Sequence, residues 1–437
     1  MGLLSFKGGI HPPHAKKATE HLPIVDYLGP KIVEIPLRQH IGAPCEAIVQ
    51  KGDHVKMGQL IGKAPSFVSA NVHSSVSGTV LDVKKMHTAY GFDVCIIIEN
   101  DFKEERDESV KPKGDFTQMS GSEIINVIKE AGLVGMGGAG FPTHVKLSPP
   151  PEKPIDAIVL NGAECEPFLT CDHRLMLESP EMIVMGLEIL MKALSVDKGY
   201  IGIENNKPDA IEAMEKAASG TNIKVVGLKT KYPQGAEKQL IYACTNKEVP
   251  SGGLPMDAGV VVNNVATAAT IARVFKEGMP LIERVCTVTG KGIKSPKNVR
   301  FKVGTSLREL IDFCEGYNGT PGKILLGGPM MGVAQDTDKL PSMKNTSGIL
   351  VFSEEEAKLP KATSCIKCGK CVTVCPAFLE PIQISAYAIA LNFDKSEKFG
   401  ALDCIECGSC SFICPSKRPL LQSIRVAKRE ILAKRRK

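Results

Sequence analysis

The stretches 365-CIKCGKCVTVCP-376 and 404-CIECGSCSFICP-415 carry one spacing twice, and that spacing decides how the C-terminal part of the chain folds. Each run is C-x2-C-x2-C-x3-C followed by proline, as in two-cluster ferredoxins. Three thiolates in one tight loop reach three corners of an Fe4S4 cube. The fourth turns away, just ahead of a proline that stops the helix, and ligates the neighbouring cube. The pattern therefore assigns Cys365, Cys368, Cys371 and Cys414 to one [4Fe–4S] cluster, and Cys404, Cys407, Cys410 and Cys375 to the other. Gly369 and Gly408 fall where backbone must pass close to inorganic sulfur. Zinc would require tetrahedral groups built from C-x2-4-C pairs, and disulfides are disfavoured in a reducing cytosol. The link from Glu380 to Gly400 spaces its apolar residues at helical intervals, which predicts a helical dicluster module.

Outside these runs the seven remaining cysteines (45, 95, 165, 171, 244, 286 and 314) are scattered and read as core thiols. A chain of 437 residues is too long for one core and predicts about three or four units. Its composition, 43% hydrophobic and 23% charged, is that of an ordinary soluble globular protein. No run approaches the length of a membrane span, and MGLLSFKGGIHPPHAKK at the N-terminus lacks the apolar region of a signal peptide. A cytoplasmic location is expected. The net charge of +6 is local: residues 416–437 hold nine Lys or Arg and one acid, so the remaining chain is about −2. A near-neutral body argues against a nucleic-acid surface. The tail, ending Arg425-VAKREILAKRRK, reads as a basic amphipathic helix, either solvated or docked on an acidic partner or anionic lipid.

Upstream, residues 132–147 read GLVGMGGAGFPTHVKL, and Gly135-x-Gly137-x-x-Gly140 formally matches a dinucleotide fingerprint. That fingerprint must follow a strand, whereas Ser122-EIINVIKEA-Gly132 has an N-cap serine, apolar residues at helical spacing and a terminal glycine. A glycine loop after a helix still exposes backbone N–H groups to an anion. The apolar run Ile155 to Leu160 predicts a buried strand that delivers Asn161-Gly-Ala-Glu164-Cys-Glu166-Pro167 at its C-terminal end, where α/β sheets bind ligands. Tyr232-Pro-Gln-Gly235-Ala-Glu237 follows a second such run, Ile223 to Leu228, and Asn263-Asn264-Val-Ala-Thr267 ends a third. Amides of this kind suit the polar edge of a flavin ring, since they donate and accept without adding full charge. An isolated Asn pair is also common turn chemistry.

In order and spacing, GMGGAGFPTHVK, NGAECEP, QGAEKQL and NNVAT together resemble the FMN- and NADH-binding subunit of respiratory complex I over roughly residues 120–275. The resemblance implies that Gly135, Gly137, Lys146, Asn161, Glu164, Asn263, Asn264 and Thr267 hold FMN, and that Phe141, Glu166 and Glu237 contact NADH. Met136 stands where that family usually has arginine, Ala163 replaces an aspartate, and Ala236 and Ala266 each replace a glutamate.

Ala47-IVQKGDHVKMGQLIG-Lys63 followed by Val76-SGTVLD-Val83 resembles the barrel-sandwich fold of lipoyl and biotinyl carriers. The hairpin Ser69-ANVHS-Ser75, where a carrier needs an exposed lysine, has none, so a non-carrying interaction domain is expected. His54, His73 and His87 lack ligand spacing. From Val285 to Val351, alternating strand signals, a helix Leu307 to Cys314 capped by Thr305 or Ser306, and the turn Gly327–Gly332 resemble an SLBB β-grasp domain.

With the opening Phe6-KGGIHPPHAK-Lys17, this order of modules is similar to the RnfC family, found in the Rnf ion-translocating electron-transport complex, across nearly the whole chain. The implied fold class is multidomain α+β. It comprises a barrel-sandwich hybrid (1–115), an α/β FMN/NADH-binding domain (116–278), an SLBB β-grasp domain (279–352), a helical dicluster ferredoxin (353–416) and a basic C-terminal helix (417–437). The resemblance implies a peripheral component at the cytoplasmic face of the membrane, partnered by integral membrane and ferredoxin-like Rnf subunits. Its two clusters would exchange electrons with an FMN that meets NAD(H), without a dedicated catalytic acid or base. Two other readings of the same modules are a soluble flavin reductase, such as a cobalamin reductase or the electron donor of an amino-acid reductase, and a non-catalytic electron-wire scaffold.

Overall fold

The computed structural model describes residues 4–435 and organises them around four β-sheets. The apolar runs Ala157–Asn161, Gly199–Glu204, Ile223–Leu228 and Val260–Asn264 form one all-parallel sheet. Such runs suit strands covered on both faces. Ile158 and Leu160 pack with Ile183 and Leu187 of the helix Pro180–Leu194 and with Ile271 of the helix Val265–Glu277. Their neighbours Ala157 and Val159 turn to the opposite face, against Leu240 and Ile241 of the helix Glu237–Thr245. In space the sheet runs Ile223–Leu228, Gly199–Glu204, Ala157–Asn161, Val260–Asn264. Strand order reverses between the last two, and a crevice opens there beyond their carboxyl ends.

The helix preceding the glycine loop spans Gly121–Glu130, and its cap is Ser120, two residues earlier than the sequence suggests. Ser120 and Glu123 form a reciprocal capping box, which satisfies two orphan N–H groups. Gly132, with φ +63°, turns the chain out of the helix.

The barrel-sandwich core gathers Val33, Ile35, Val55, Ile61, Val72, Val80, Ile96 and Ile98 from a four-stranded and a three-stranded sheet. Its hairpin at residues 69–75 is buried rather than displayed. Ser75 Oγ donates to the Val303 carbonyl at 2.7 Å, and the Lys344 ammonium donates to the Asn71 carbonyl at 2.6 Å. The tip that a carrier would expose is thus an interdomain plug.

Residues before Ile32 do not belong to the barrel core. The segment Ile24–Tyr27 joins the six-stranded SLBB sheet instead, in parallel register with Lys297–Lys302 (Ile24 opposite Asn298). Ahead of it an arm crosses the parallel sheet and the ferredoxin: Leu4 bridges to Leu228, Ile10 to Tyr232, and Gly9 N donates to the Val374 carbonyl at 2.8 Å. In the SLBB domain the helix Leu307–Phe313 is capped by Ser306, whose side chain accepts from Arg308 N.

Past Ser353 no strand occurs among the described residues, as helical spacing requires. The basic helix Leu420–Arg435 is continuous with the ferredoxin module. Ile424, Ala427 and Ile431 share one core with Ile384, Ala388 and Ala401. Its cations face neighbouring acids: Arg425 and Lys428 meet Glu406 at 2.9 and 2.8 Å, Lys434 meets Asp394 at 2.7 Å, and Arg435 meets Glu397.

Candidate functional site: a flavin crevice joined to two cysteine nests

The site begins where the reversal of strand order leaves Asn161 and the Asn263–Asn264 pair side by side. Asn161 holds the next turn: its Nδ2 donates to the Gly235 carbonyl at 2.8 Å and its Oδ1 accepts from Ala163 N at 3.1 Å. Asn264 caps the helix Val265–Glu277 by accepting from Ala266 N, and donates to Asp172 Oδ2 at 2.6 Å. Asn263 differs. It is 3% exposed, yet neither polar atom of its amide has a partner among the described residues. A buried amide left unmatched costs roughly 1–3 kcal/mol, so this position calls for a polar ligand.

The glycine loop lies over this pair. Gly137 packs so tightly on Asn264 that an added Cβ would lie 2.8 Å from its Nδ2. Gly135 N donates to the Phe141 carbonyl at 2.8 Å and closes the loop, while Thr267 Oγ1 accepts from Met136 N at 3.1 Å. Phe141 is half-buried beside it. On the short helix Thr143–Lys146, Lys146 reaches the Val262 carbonyl at 3.0 Å and Glu237 at 3.3 Å.

Glu164, in the left-handed region with φ +47°, accepts from Asp172 N at 2.7 Å and His173 N at 3.3 Å at the start of the helix Cys171–Glu178. Two buried lysines hold the turn that carries it. Lys16 donates to the carbonyls of Glu164, Glu166 and Leu169, and Lys207 donates to Ala163 at 2.7 Å. Both Glu166 oxygens are engaged by the SLBB turn, accepting from Met330 N at 3.0 Å and Met331 N at 2.8 Å. Burial raises the Glu166 carboxyl to about 7 against the pull of those amides. Asp172 is raised to about 6, first by burial and then by the charge on Glu164, and its Oδ1 has no partner.

The expected flavin residues thus converge on one crevice, with Phe141 and Glu237 at its edge and Glu166 turned toward the SLBB domain. Sequence reasoning missed the roles of Lys16, Asp172 and Lys207: Lys16 lies in the opening segment Phe6–Lys17 but carries no chemical signature there, and the other two belong to no motif. Cys165 is no plain core thiol either: it is partly exposed, and its sulfur accepts from Gly235 N at 3.3 Å.

The cysteine runs adopt one backbone twice. Lys367 and Gly369 have φ of +55° and +73°, and the corresponding Glu406 and Gly408 have +58° and +76°. Successive left-handed residues curl N–H groups inward, toward an anionic core. Burial above all, then the neighbouring Cys404, Cys407 and Cys375, push the Cys410 thiol up, and burial, then Cys414, push up Cys371.

One nest faces inward. Tyr232, 1% exposed and adjoining the crevice through its own turn, donates its hydroxyl to the Cys407 carbonyl at 2.8 Å. Ile10, Tyr232 and Cys407 share an apolar cluster with Cys165, Met330 and Val374. The other nest faces solvent, with Cys365 and Cys368 exposed.

Comparison with known proteins accounts for every module. The Nuo51 FMN-binding domain matches residues 128–273, the RnfC barrel sandwich hybrid domain 4–103, the SLBB domain 285–334 and the 4Fe-4S dicluster domain 358–417. FMN and two [4Fe–4S] clusters are therefore its cofactors. The chain is 52% identical to the RnfC-type component of the Na(+)-translocating ferredoxin:NAD(+) oxidoreductase complex of Acetobacterium woodii, over 99% of this chain and 98% of that one. It is 51% identical to the corresponding component of the proton-translocating ferredoxin:NAD(+) oxidoreductase complex of Clostridium ljungdahlii, over 98% and 94%. With its counterpart in the ion-translocating oxidoreductase complex of Rhodobacter capsulatus it shares 42% identity, over 97% and 82%. From barrel to dicluster module, the chain belongs to the RnfC family of ion-translocating oxidoreductase complexes.

Proposed function

We propose that this chain is the NAD(H)-reactive electron converter of a membrane-bound, ion-translocating ferredoxin:NAD+ oxidoreductase. FMN held in the crevice would supply the conversion between two-electron hydride exchange with nicotinamide and one-electron exchange with the clusters. The protein's part is to seat, orient and connect. Gly135, Gly137, Lys146, Asn161, Glu164, Asn263, Asn264 and Thr267 hold the flavin in the crevice, and Phe141 and Glu237 border the nicotinamide approach; Glu166, expected there as well, instead has both oxygens on the SLBB turn. The observation that carries this reading is the asymmetry of the two nests: the Cys407 side docks through Tyr232 onto the flavin domain, while Cys365 and Cys368 are open to solvent. This favours an order of outside partner, exposed cluster, inner cluster and flavin.

The exposed nest is suited to a protein donor. Residues 358–370 carry Lys358, Lys361, Lys367 and Lys370 and no acid, all exposed, and Leu359 and Ile366 are 81% and 67% exposed. A cationic rim around apolar contacts favours an acidic, ferredoxin-like partner and salt-sensitive association. No helix among the described residues is long and apolar enough to cross a membrane. The apolar face of the basic helix is already buried in the ferredoxin core. Attachment at the cytoplasmic face of the membrane therefore runs through integral membrane partners.

Anaerobic addition of NADH to purified protein tests the assignment. Loss of flavin absorbance followed by cluster bleaching is expected, and a flavin that stays oxidised would overturn it. Copurification with integral membrane proteins of the complex separates this role from a soluble flavin reductase.

A further inference from the structure

The glycine loop is asymmetric in its hydrogen bonding. Three of its carbonyls are held by side chains: Gly132 O accepts from Lys344 Nζ at 2.7 Å, Met136 O from Arg284 Nη2 at 2.9 Å, and Gly138 O from Asn345 Nδ2 at 3.2 Å. Among the described residues, the N–H groups of Gly137, Gly138 and Ala139 have no protein partner, and all three residues are exposed. A Cβ on Gly138 would meet nothing within 4 Å, so the space beside these amides is open.

All three donors come from the SLBB domain. Arg284, 3% exposed, lies on the strand Glu283–Thr289 and also carries an unpartnered Nε. Lys344, 1% exposed, has no carboxylate partner and spends its ammonium on two carbonyls, Gly132 and Asn71. Asn345 is further steadied by the hydroxyl of Tyr90 on the barrel, at 3.1 Å. Burying an unneutralised ammonium and a guanidinium is costly, and here both are directed at backbone carbonyls of one loop. Peptide units are rigid, so turning the C=O of residues 136 and 138 toward the SLBB domain turns the following N–H groups, of Gly137 and Ala139, to the opposite side. A row of free amides is a receptor for a phosphate group.

We propose that Arg284, Lys344 and Asn345 are positioning residues for the flavin: the SLBB domain clamps the glycine loop by its carbonyls and thereby aims its amides at FMN. This rests on the flavin occupying the crevice above Asn263 and Asn264. The clamp makes flavin retention a property of two domains rather than one.

The test is the FMN dissociation constant of the full-length protein, followed by flavin fluorescence, with cluster absorbance and the melting midpoint read in parallel. Losing a charge-assisted hydrogen bond predicts that Arg284→Met weakens FMN binding roughly ten- to hundredfold. Arg284→Lys, which keeps a cationic donor, should recover most of the loss. Asn345→Asp, at a partly exposed position, puts an acceptor opposite the Gly138 carbonyl and should weaken binding several-fold with unchanged melting. It decides the matter should Arg284→Met fail to fold. Asn263→Ala serves as the reference. If it loses FMN while Asn345→Asp and Arg284→Met bind as tightly as the unaltered protein, the clamp is overturned and the crevice stands. If Asn263→Ala also binds normally, the flavin is seated elsewhere and both fall.

Discussion

The Tyr232 hydroxyl donates to the Cys407 carbonyl at 2.8 Å, so a residue of the flavin domain's own turn reaches the backbone of an inner-cluster ligand. Tyr232→Phe keeps the ring and removes this link, with an expected stability loss of about 1 kcal/mol. Stopped-flow mixing with NADH should show flavin reduction at an unchanged rate and cluster bleaching that lags behind it. Equal cluster rates in both proteins would show that the contact is only packing.

Electron order follows from the nests. Cys365→Ser should disrupt the solvent-facing cluster and leave the inner one reducible by NADH. Cys375→Ser should disrupt the inner cluster, although Cys375 lies in the first run, and isolate the outer one from the flavin. Iron content and electron paramagnetic resonance of the NADH-treated variants check both outcomes, and reversed signatures would refute the crossed assignment.

At Gly137 an added methyl group would collide with the Asn264 amide at 2.8 Å. Gly137→Ala should therefore lift the loop, lowering FMN content at least tenfold while both clusters remain. Absorbance of the purified variant reads both. Gly138→Ala meets open space and should be tolerated by the apoprotein fold, with any loss confined to the flavin.

The Glu166 carboxyl is raised by burial to about 7, so the folded protein holds its proton more tightly than the unfolded chain does. Its contribution to stability is complete below the unfolded carboxyl value of 4.5 and is lost as pH rises through about 7. Glu166→Gln cannot titrate. Its melting midpoint should gain on the unaltered protein between those pH values and run parallel above them. Parallel curves throughout would mean that the carboxylate is stabilised as fully as it is in water.

The parts of this design that were legible in the sequence are local. The dicluster module follows from one spacing, and the strand Ile223–Leu228 has the same limits in sequence and structure because its apolar run ends where its burial ends. Asn161 and Asn263–Asn264 announced a crevice because they terminate apolar runs. What stayed hidden depends on backbone carbonyls, which have no signature in side-chain order. Nothing in Lys16 signals that it binds the turn of Glu164 and Glu166, about 150 residues away, and nothing in Arg284 points to Met136. Ser122 reads as the helix cap in the sequence, and the reciprocal bond between Ser120 and Glu123 is what places the cap two residues earlier.

The arm that leaves the barrel has a kinetic consequence. The strand Ile24–Tyr27 is synthesised well before its partner, which begins at Lys297. Until that partner is made it is an unpaired sheet edge, and the SLBB sheet cannot complete. Closure of that sheet therefore joins two segments made at widely separate times, and the whole intervening chain must be synthesised before it is sealed.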